Sequence, residues 1–269
     1  MQHIELDVDA HRSNPPPWLY AVTEPSRAAA EVASLTTALP WLLTAPRGDG
    51  HQIMALPGFM ASDLSTRLLR RYLGQHGYRT SGWGLGRNSG RPELLKQLIE
   101  RFLKLTDKRG EPISLVGQSL GGVFARELAR AHPERVRQVI TLGSPFGMGD
   151  SNASNPLVQQ LFEQSAGVNS DELRDLLLTG DPLEPPPVPS TAIYSRYDGV
   201  VAWHTCVERD RPHTDNIEVY GSHVGMAAHP AILLAIADRL AQAADAWERF
   251  DRERPLRSIL YPAAVFAAG

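Results

Sequence analysis

The sequence predicts an α/β protein: a mostly parallel central sheet of about six core strands, helices on both of its faces, and a helical lid or cap inserted into it. Three observations carry this. From Gln52 onward, short apolar runs alternate with amphipathic stretches of helical period. The alternation is broken once, over 146–189, by a Gly/Ser/Asn-rich and then proline-rich segment too long for an ordinary connection. The composition is that of a packed globular chain: 269 residues, 42% hydrophobic and 21% charged.

Taken in order, residues 1–50 read as a helical N-terminal extension packing on the core. It is entered through Pro15-Pro16-Pro17 and left through Thr44-Ala45-Pro46. Its stretch 18–43 is apolar in patches interrupted by Glu24, Arg27 and Glu31, which suits one or two packing helices; docking on a membrane surface is the alternative. Residues 51–269 form the main domain. Gln52–Leu56 reads as a buried strand closed by Pro57-Gly58, and 62–75 as a helix with Leu64, Leu68, Leu69 and Tyr72 on one face. A strand over 77–83 runs into the glycine-rich stretch 82–88, which follows a core strand and either lines the site or serves glycine packing. A helix covers 92–106. Then come a strand at 113–116, a helix at 120–131, a strand at 136–142, two further strands at 192–195 and 217–220, and a last helix at 231–244. The insertion at about 146–189 carries helix-like pieces at 156–167 and 171–178 before Pro185-Pro186-Pro187 stiffens the return.

Charge and cysteine usage bound the partners. A net charge of -3, with no dense cluster of Lys and Arg, gives no electrostatic reason to expect nucleic acid. Cys206 is the single cysteine, so no intrachain disulfide can form, which suits a reducing compartment. The acidic start Met1-Gln2-His3-Ile4-Glu5 lacks the basic-then-apolar order of a secretory leader, and the expected location is cytoplasmic. No run of apolar residues is long enough to span a membrane. No cofactor and no metal site are expected.

The chemistry is concentrated in Gly117-Gln118-Ser119-Leu120-Gly121, which lies between a predicted strand and a predicted helix. That is the context a nucleophile elbow requires: a sharp turn presents Ser119 at the strand's carboxyl end, beside the positive end of the following helix. A serine hydroxyl needs a base, and a base of this kind should follow an acid in chain order. Of nine histidines, His223 lies in the loop after the last predicted strand, feeding the last helix, where the base belongs. Asp198 follows the penultimate strand in Tyr197-Asp198-Gly199 and is the expected acid, with Asp150 as runner-up and Asp181 third. An oxyanion intermediate needs two N–H donors. Leu120 supplies one, and the loop Leu56-Pro57-Gly58-Phe59-Met60 the other, from Phe59 or alternatively Met60. Met60 and Gln118 are expected to contact substrate.

With these residues in view, the chain resembles bacterial α/β-hydrolase lipases and esterases. Leu56-Pro57-Gly58-Phe59 is similar to their oxyanion loop, and Thr141-Leu142-Gly143-Ser144-Pro145 to the segment after their post-elbow strand. Segments 193–198 and 222–226 are similar to their acid and base segments. The resemblance runs from about Gln52 to Leu240. It departs at Gln118, where many lipases have histidine, and in lacking a cysteine pair and a carboxylate cluster for structural calcium. It implies the α/β-hydrolase fold and a carboxylic-ester hydrolase acting through an acyl-serine intermediate on a small-molecule or lipid ester. A transient lipid-surface contact would fit such a substrate. Two alternatives use the same residues: an acyltransferase, and an inactive binding protein. Oligomeric state is left open.

Overall fold

The computed structural model describes residues 4–6, 16–146, 154, 156–167, 181–243, 245–254, 257–263 and 265–267. β1 (Ile4–Leu6) is followed by a long helix, α1 (Trp18–Leu42). From there the chain alternates: β2 (Gln52–Leu56), α2 (Arg67–Gln75), β3 (Arg79–Gly82), α3 (Pro92–Arg109), β4 (Ile113–Gln118), α4 (Leu120–Ala131) and β5 (Val136–Leu142). After the insertion helix α5 (Pro156–Ala166) come β6 (Ser190–Tyr194), β7 (Thr214–Glu218), α6 (Pro230–Leu240), the short α7 (Arg257–Leu260) and β8 (Val265–Ala267). Six strands make one all-parallel sheet ordered β3-β2-β4-β5-β6-β7, while β1 and β8 form a separate parallel pair. Among the described residues, no helix is long and apolar enough to cross a membrane.

The continuous apolar runs follow from burial on both faces, because successive residues of a strand point to opposite sides. Ile53 and Ala55 enter a core shared with α2 and α6, whereas Met54 and Leu56 enter a second core with α3 and α4. The same division separates Val116 from Leu115 and Ile140 from Val139. Each face thus buries a full apolar layer, and the carboxyl edge of the sheet carries the connecting loops.

β6 starts earlier than expected, at Ser190, and β1 and β8 are additional strands; three further differences each have a physical reason. The helix expected over 62–75 begins at Arg67. Its first residues turn instead, because the Asp63 carboxylate accepts the N–H groups of Trp83 (2.9 Å) and Gly84 (3.0 Å) across the sheet edge. The strand expected at 217–220 starts earlier, at Thr214, through polar residues that no hydrophobic pattern would include. Asp215 and Asn216 are buried there with partners distant in sequence or in another loop: Asp215 accepts the Phe250 N–H of the C-terminal segment at 2.6 Å, and Asn216 bonds both the N–H (2.8 Å) and the carbonyl (2.9 Å) of Glu208. The last helix stops at Leu240, where the chain folds back and Gln242 donates to the Glu248 carbonyl at 2.9 Å. The expected helical piece at 171–178 lies outside the described residues.

A buried ion pair ties α4 to the strands beyond it. Arg126 and Glu208 are both fully buried; Arg126 also donates to the carbonyls of Pro182 and Glu184 and lies over the Phe146 ring, and Ser190 Oγ donates to Glu208 at 2.6 Å. Removing one partner leaves the other charge buried and uncompensated. Glu208→Ala is expected to lower the unfolding free energy by about 3–5 kcal/mol in a urea titration. The apolar double replacement Arg126→Met with Glu208→Met is expected to recover most of that loss.

Candidate active site

The turn between β4 and α4 is made by close backbone packing. A Cβ on Gly117 would lie 2.4 Å from the Gly121 carbonyl oxygen, and one on Gly121 would lie 2.5 Å from the carbonyl oxygen of Leu56. A side chain on Gly122 would collide with Ser144 Oγ at 2.0 Å. These contacts hold Ser119 at φ 52° and ψ −127°, a left-handed φ that a residue with a Cβ adopts only when the surroundings impose it. The Ser119 N–H is tied to the Leu142 carbonyl of β5 at 2.8 Å, and the side chain is partly exposed. It stands at the start of α4, where the first N–H groups of the helix have no intrahelical acceptor.

The loop after β2 runs alongside. A Cβ on Gly58 would sit 3.1 Å from Ser119 Cβ, so the loop passes over the serine as closely as a glycine allows. Its shape is fixed by Asn88, which is fully buried. Asn88 Nδ2 donates to the Pro57 carbonyl (2.9 Å), its N–H to Ala61 O (2.8 Å), and its carbonyl accepts the Met60 N–H (2.7 Å). Met60 takes a positive φ of 59° within this clasp. The Met60 N–H is therefore engaged, whereas the Phe59 N–H has no hydrogen-bond partner among the described residues. The stretch 82–88 lies behind this loop: Trp83 is fully buried with Nε1 on the Gly86 carbonyl (2.9 Å), and Asn88 makes the clasp.

Asp198 and His223 meet across loops that leave neighbouring strands, β6 and β7. His223 Nδ1 lies 2.6 Å from Asp198 Oδ2, and Asp198 Oδ1 accepts the N–H groups of Val200 (2.8 Å) and Val201 (2.7 Å). Both side chains are buried. Ser195 Oγ links the two loops by donating to Gly221 O at 2.7 Å. Gln118, next to Ser119, is also buried, and its Nε2 donates to the His223 carbonyl at 2.8 Å. Gly143 closes the arrangement: at φ 52°, a Cβ there would touch His223 Nδ1 (3.0 Å), Asp198 Oδ2 (3.1 Å) and Met226 Sδ (2.9 Å). Burial by itself would pull the His223 imidazole down, but the Asp198 charge and hydrogen bond outweigh it, with Glu24 adding to them. The net direction is above the ordinary value of 6.5.

Ser119, Asp198, His223, Phe59, Leu120 and Gln118 are thus gathered at one edge of the sheet. Met60 is 45% exposed, with its sulfur 3.6 Å from Ser165 Oγ of α5. Phe162 of the same helix meets the Phe59 ring edge-on at 5.2 Å, so α5 packs against the loop after β2. Asp181 lies elsewhere, on the surface, paired with Arg209 at 2.6 Å, and Asp150 is outside the described residues. Sequence reasoning missed two carboxylates at the site, Glu24 and Glu31 of α1. Glu24 is buried against the loops that carry Asp198 and His223. Their seven-residue spacing places them on one helical face, which was the available signal.

A hydrogen-bonded Asp–His–Ser chain also occurs elsewhere in the sheet. His51 lies between Asp49 (Nδ1 to Oδ1, 2.5 Å) and Ser114 (Nε2 to Oγ, 2.8 Å) at the opposite end of β4. Ser114 is fully buried within a strand, so no substrate reaches it, and burial holds the His51 imidazole below its ordinary value.

Comparison with known proteins agrees with this architecture. Residues 55–181 match the family model described as the alpha/beta hydrolase fold. The chain is similar to bifunctional epoxide hydrolase 2 of Sus scrofa, 32% identical over an alignment 146 residues long that covers 48% of this chain and 26% of that protein. The Mus musculus protein of the same name is 31% identical over 142 residues, 26% of its length. The match thus spans about a quarter of these curated relatives. Among solved structures, lipase B of Aspergillus fumigatus superposes with a TM-score of 0.56 at 17% identity, over 72% of this chain and 53% of that one. A pyrethroid hydrolase superposes with a TM-score of 0.51 at 16% identity, over 73% and 100% of the two chains. At such identities the likeness is one of fold. The parallel sheet, the glycine-packed turn after β4 and the match over residues 55–181 together give this chain the α/β-hydrolase fold.

Proposed function

We propose that the protein hydrolyses carboxylic esters through an acyl-serine intermediate, with Ser119 as nucleophile, His223 as base and Asp198 as its orienting acid. One observation supports this above the others: the residue forced into the left-handed turn carries a hydroxyl, and the loops after β6 and β7, joined to its neighbour Gln118 through the His223 carbonyl, carry a buried imidazole–carboxylate pair. In this reading Ser119 Oγ attacks the ester carbonyl carbon while its proton passes to His223 Nε2. The N–H groups of Phe59 and Leu120 receive the negative charge that develops on the carbonyl oxygen. Collapse of the tetrahedral adduct breaks the carbon–alkoxide bond, and the leaving oxygen takes the proton from His223. Water then repeats the sequence: it loses a proton to His223, attacks the acyl carbon and releases the acid, restoring the serine. Asp198 keeps the Nδ1 proton in place and stabilises the imidazolium.

The similarity to epoxide hydrolases raises a second substrate class. A serine alkoxide that opens an epoxide forms an ether, which the same site has no means to hydrolyse, whereas a serine ester turns over. The residue at 119 therefore favours the acyl reaction. Phe162 and Phe59, with the exposed Leu157 and Leu161 of α5, offer an apolar wall to the acyl part.

Ser119→Ala is expected to lower kcat on a p-nitrophenyl ester by a factor on the order of 10⁴ or more, with an unchanged circular dichroism spectrum. A mutant that keeps most of its activity would overturn the assignment. The base must be neutral to accept the serine proton, and a raised pKa makes it neutral only at higher pH. The acidic limb of kcat/KM is therefore expected above pH 6.5. In Asp198→Asn, where burial stays and the carboxylate charge is gone, proton NMR is expected to show His223 titrating lower than in the wild type.

A further inference from the structure

Helix α1 lies outside the matched family segment, yet it reaches the back of the site. Glu24 is 3% exposed and its carboxylate accepts four hydrogen bonds. Oε1 takes the N–H of Gly199 (2.9 Å), the N–H of His223 (3.0 Å) and the Arg27 guanidinium (2.8 Å); Oε2 takes the N–H of Val224 (2.9 Å). Gly199 follows Asp198, and His223 and Val224 belong to the base loop. One carboxylate therefore holds the backbone on both sides of the Asp198–His223 contact. Two turns along the same helix, Glu31 accepts the N–H and the Oγ–H of Ser222, each at 2.6 Å. Arg27 also donates to the Tyr197 carbonyl at 2.8 Å, which ties the acid loop to α1 a second time. The helix backbone fits against the acid loop closely: a Cβ on Gly199 would lie 2.4 Å from Ala21 N.

We propose that Glu24 is a positioning residue, whose carboxylate locks the acid and base loops in the register where Asp198 and His223 meet, with Glu31 fixing the residue before the base. This rests on the proposed ester hydrolysis for its kinetic meaning, though not for its geometry. Backbone N–H groups need an acceptor when they are buried, and a charged acceptor makes stronger bonds than a neutral one. No residue of the two loops supplies that acceptor to Gly199, His223 and Val224; α1 does. The negative charge also acts on the base. The titratable groups facing His223 are Asp198 in front and Glu24 behind, with Arg27 and Glu31 flanking Glu24; the Cys206 thiol behind Asp198 is kept neutral by burial.

Glu24→Gln keeps the shape but replaces one acceptor oxygen with a donor and removes the charge. It is expected to lower kcat/KM on a p-nitrophenyl ester roughly 10- to 100-fold, mostly in kcat. It is also expected to move the acidic limb of the pH profile to lower pH, which loosened packing alone would not do. Glu31→Gln, which touches only Ser222, is expected to give a smaller loss in the same direction. A folded Glu24→Gln enzyme with wild-type kcat/KM and an unmoved acidic limb would overturn the proposal. Should that variant fail to fold, wild-type kinetics and pH profile in Glu31→Gln would overturn it instead. If the unmodified protein has no esterase activity, the ester reading fails separately. The positioning role is then read by proton NMR of His223, whose titration is expected to fall in whichever variant folds and whose constancy would refute it.

Discussion

The contact on which the site depends is the passage of β4 into α4 at backbone-to-backbone distance. Gly117 against the Gly121 carbonyl, and Gly121 against the carbonyls of Leu56 and Pro57, leave no room for a methyl group. That packing forces the turn, the turn forces Ser119 to a positive φ, and the forced residue is the one that projects beyond the sheet. Sheet order supplies the surroundings. β4 lies between β2 and β5, so the loop after β2 and the residues after β5 must flank the serine. Gly58 over the serine and Gly143 against His223 and Asp198 are the direct result.

Hydrogen bonding decides what the loops can do. The polar groups that join the loops of Asp198 and His223 are paired: Asp198 with two N–H groups and His223, Gln118 with the His223 carbonyl, Ser195 with Gly221. Buried polar atoms are costly when left unmade, so such a network both orders the loops and holds the imidazole in one orientation. The Asp49–His51–Ser114 chain contains the same three functional groups, with its imidazole–carboxylate contact at 2.5 Å against 2.6 Å for His223 and Asp198. It lacks an exposed hydroxyl and a helix N-terminus, and its role is to join the start of β4 to the segment before β2. Position on the sheet, more than the identity of the groups, separates the two.

Strand and helix order were legible because each depends on local pattern: continuous apolar runs for strands buried on both faces, and helical period for the covering layers. Ser119, Asp198 and His223 were legible because a sharp turn demands glycines on either side and because chain order assigns one loop to each partner. β7 was read late, starting at Ile217, since Thr214, Asp215 and Asn216 are polar and find their partners only in the fold: Thr214 bonds Arg209, Asn216 bonds Glu208 and Asp215 accepts the Phe250 N–H. The pairing of β1 with β8 joins segments at the two ends of the chain and left no local trace.

By itself, then, the sequence determined the fold, the sharp turn that carries Ser119 and the succession of loops that carry Asp198 and His223, because these rest on periodicity, steric demand at glycine and succession along the chain. Only the tertiary structure decided which amide beside the serine stays unpaired, since the Met60 N–H is taken by a carbonyl distant in sequence. It also decided that Gln118 turns toward the His223 backbone, and that Glu24 and Glu31, which interrupt an apolar stretch in the sequence, face inward onto the loops that carry Asp198 and His223. Long-range hydrogen bonds of this kind join residues up to 200 positions apart, and nothing in their local sequence names the partner.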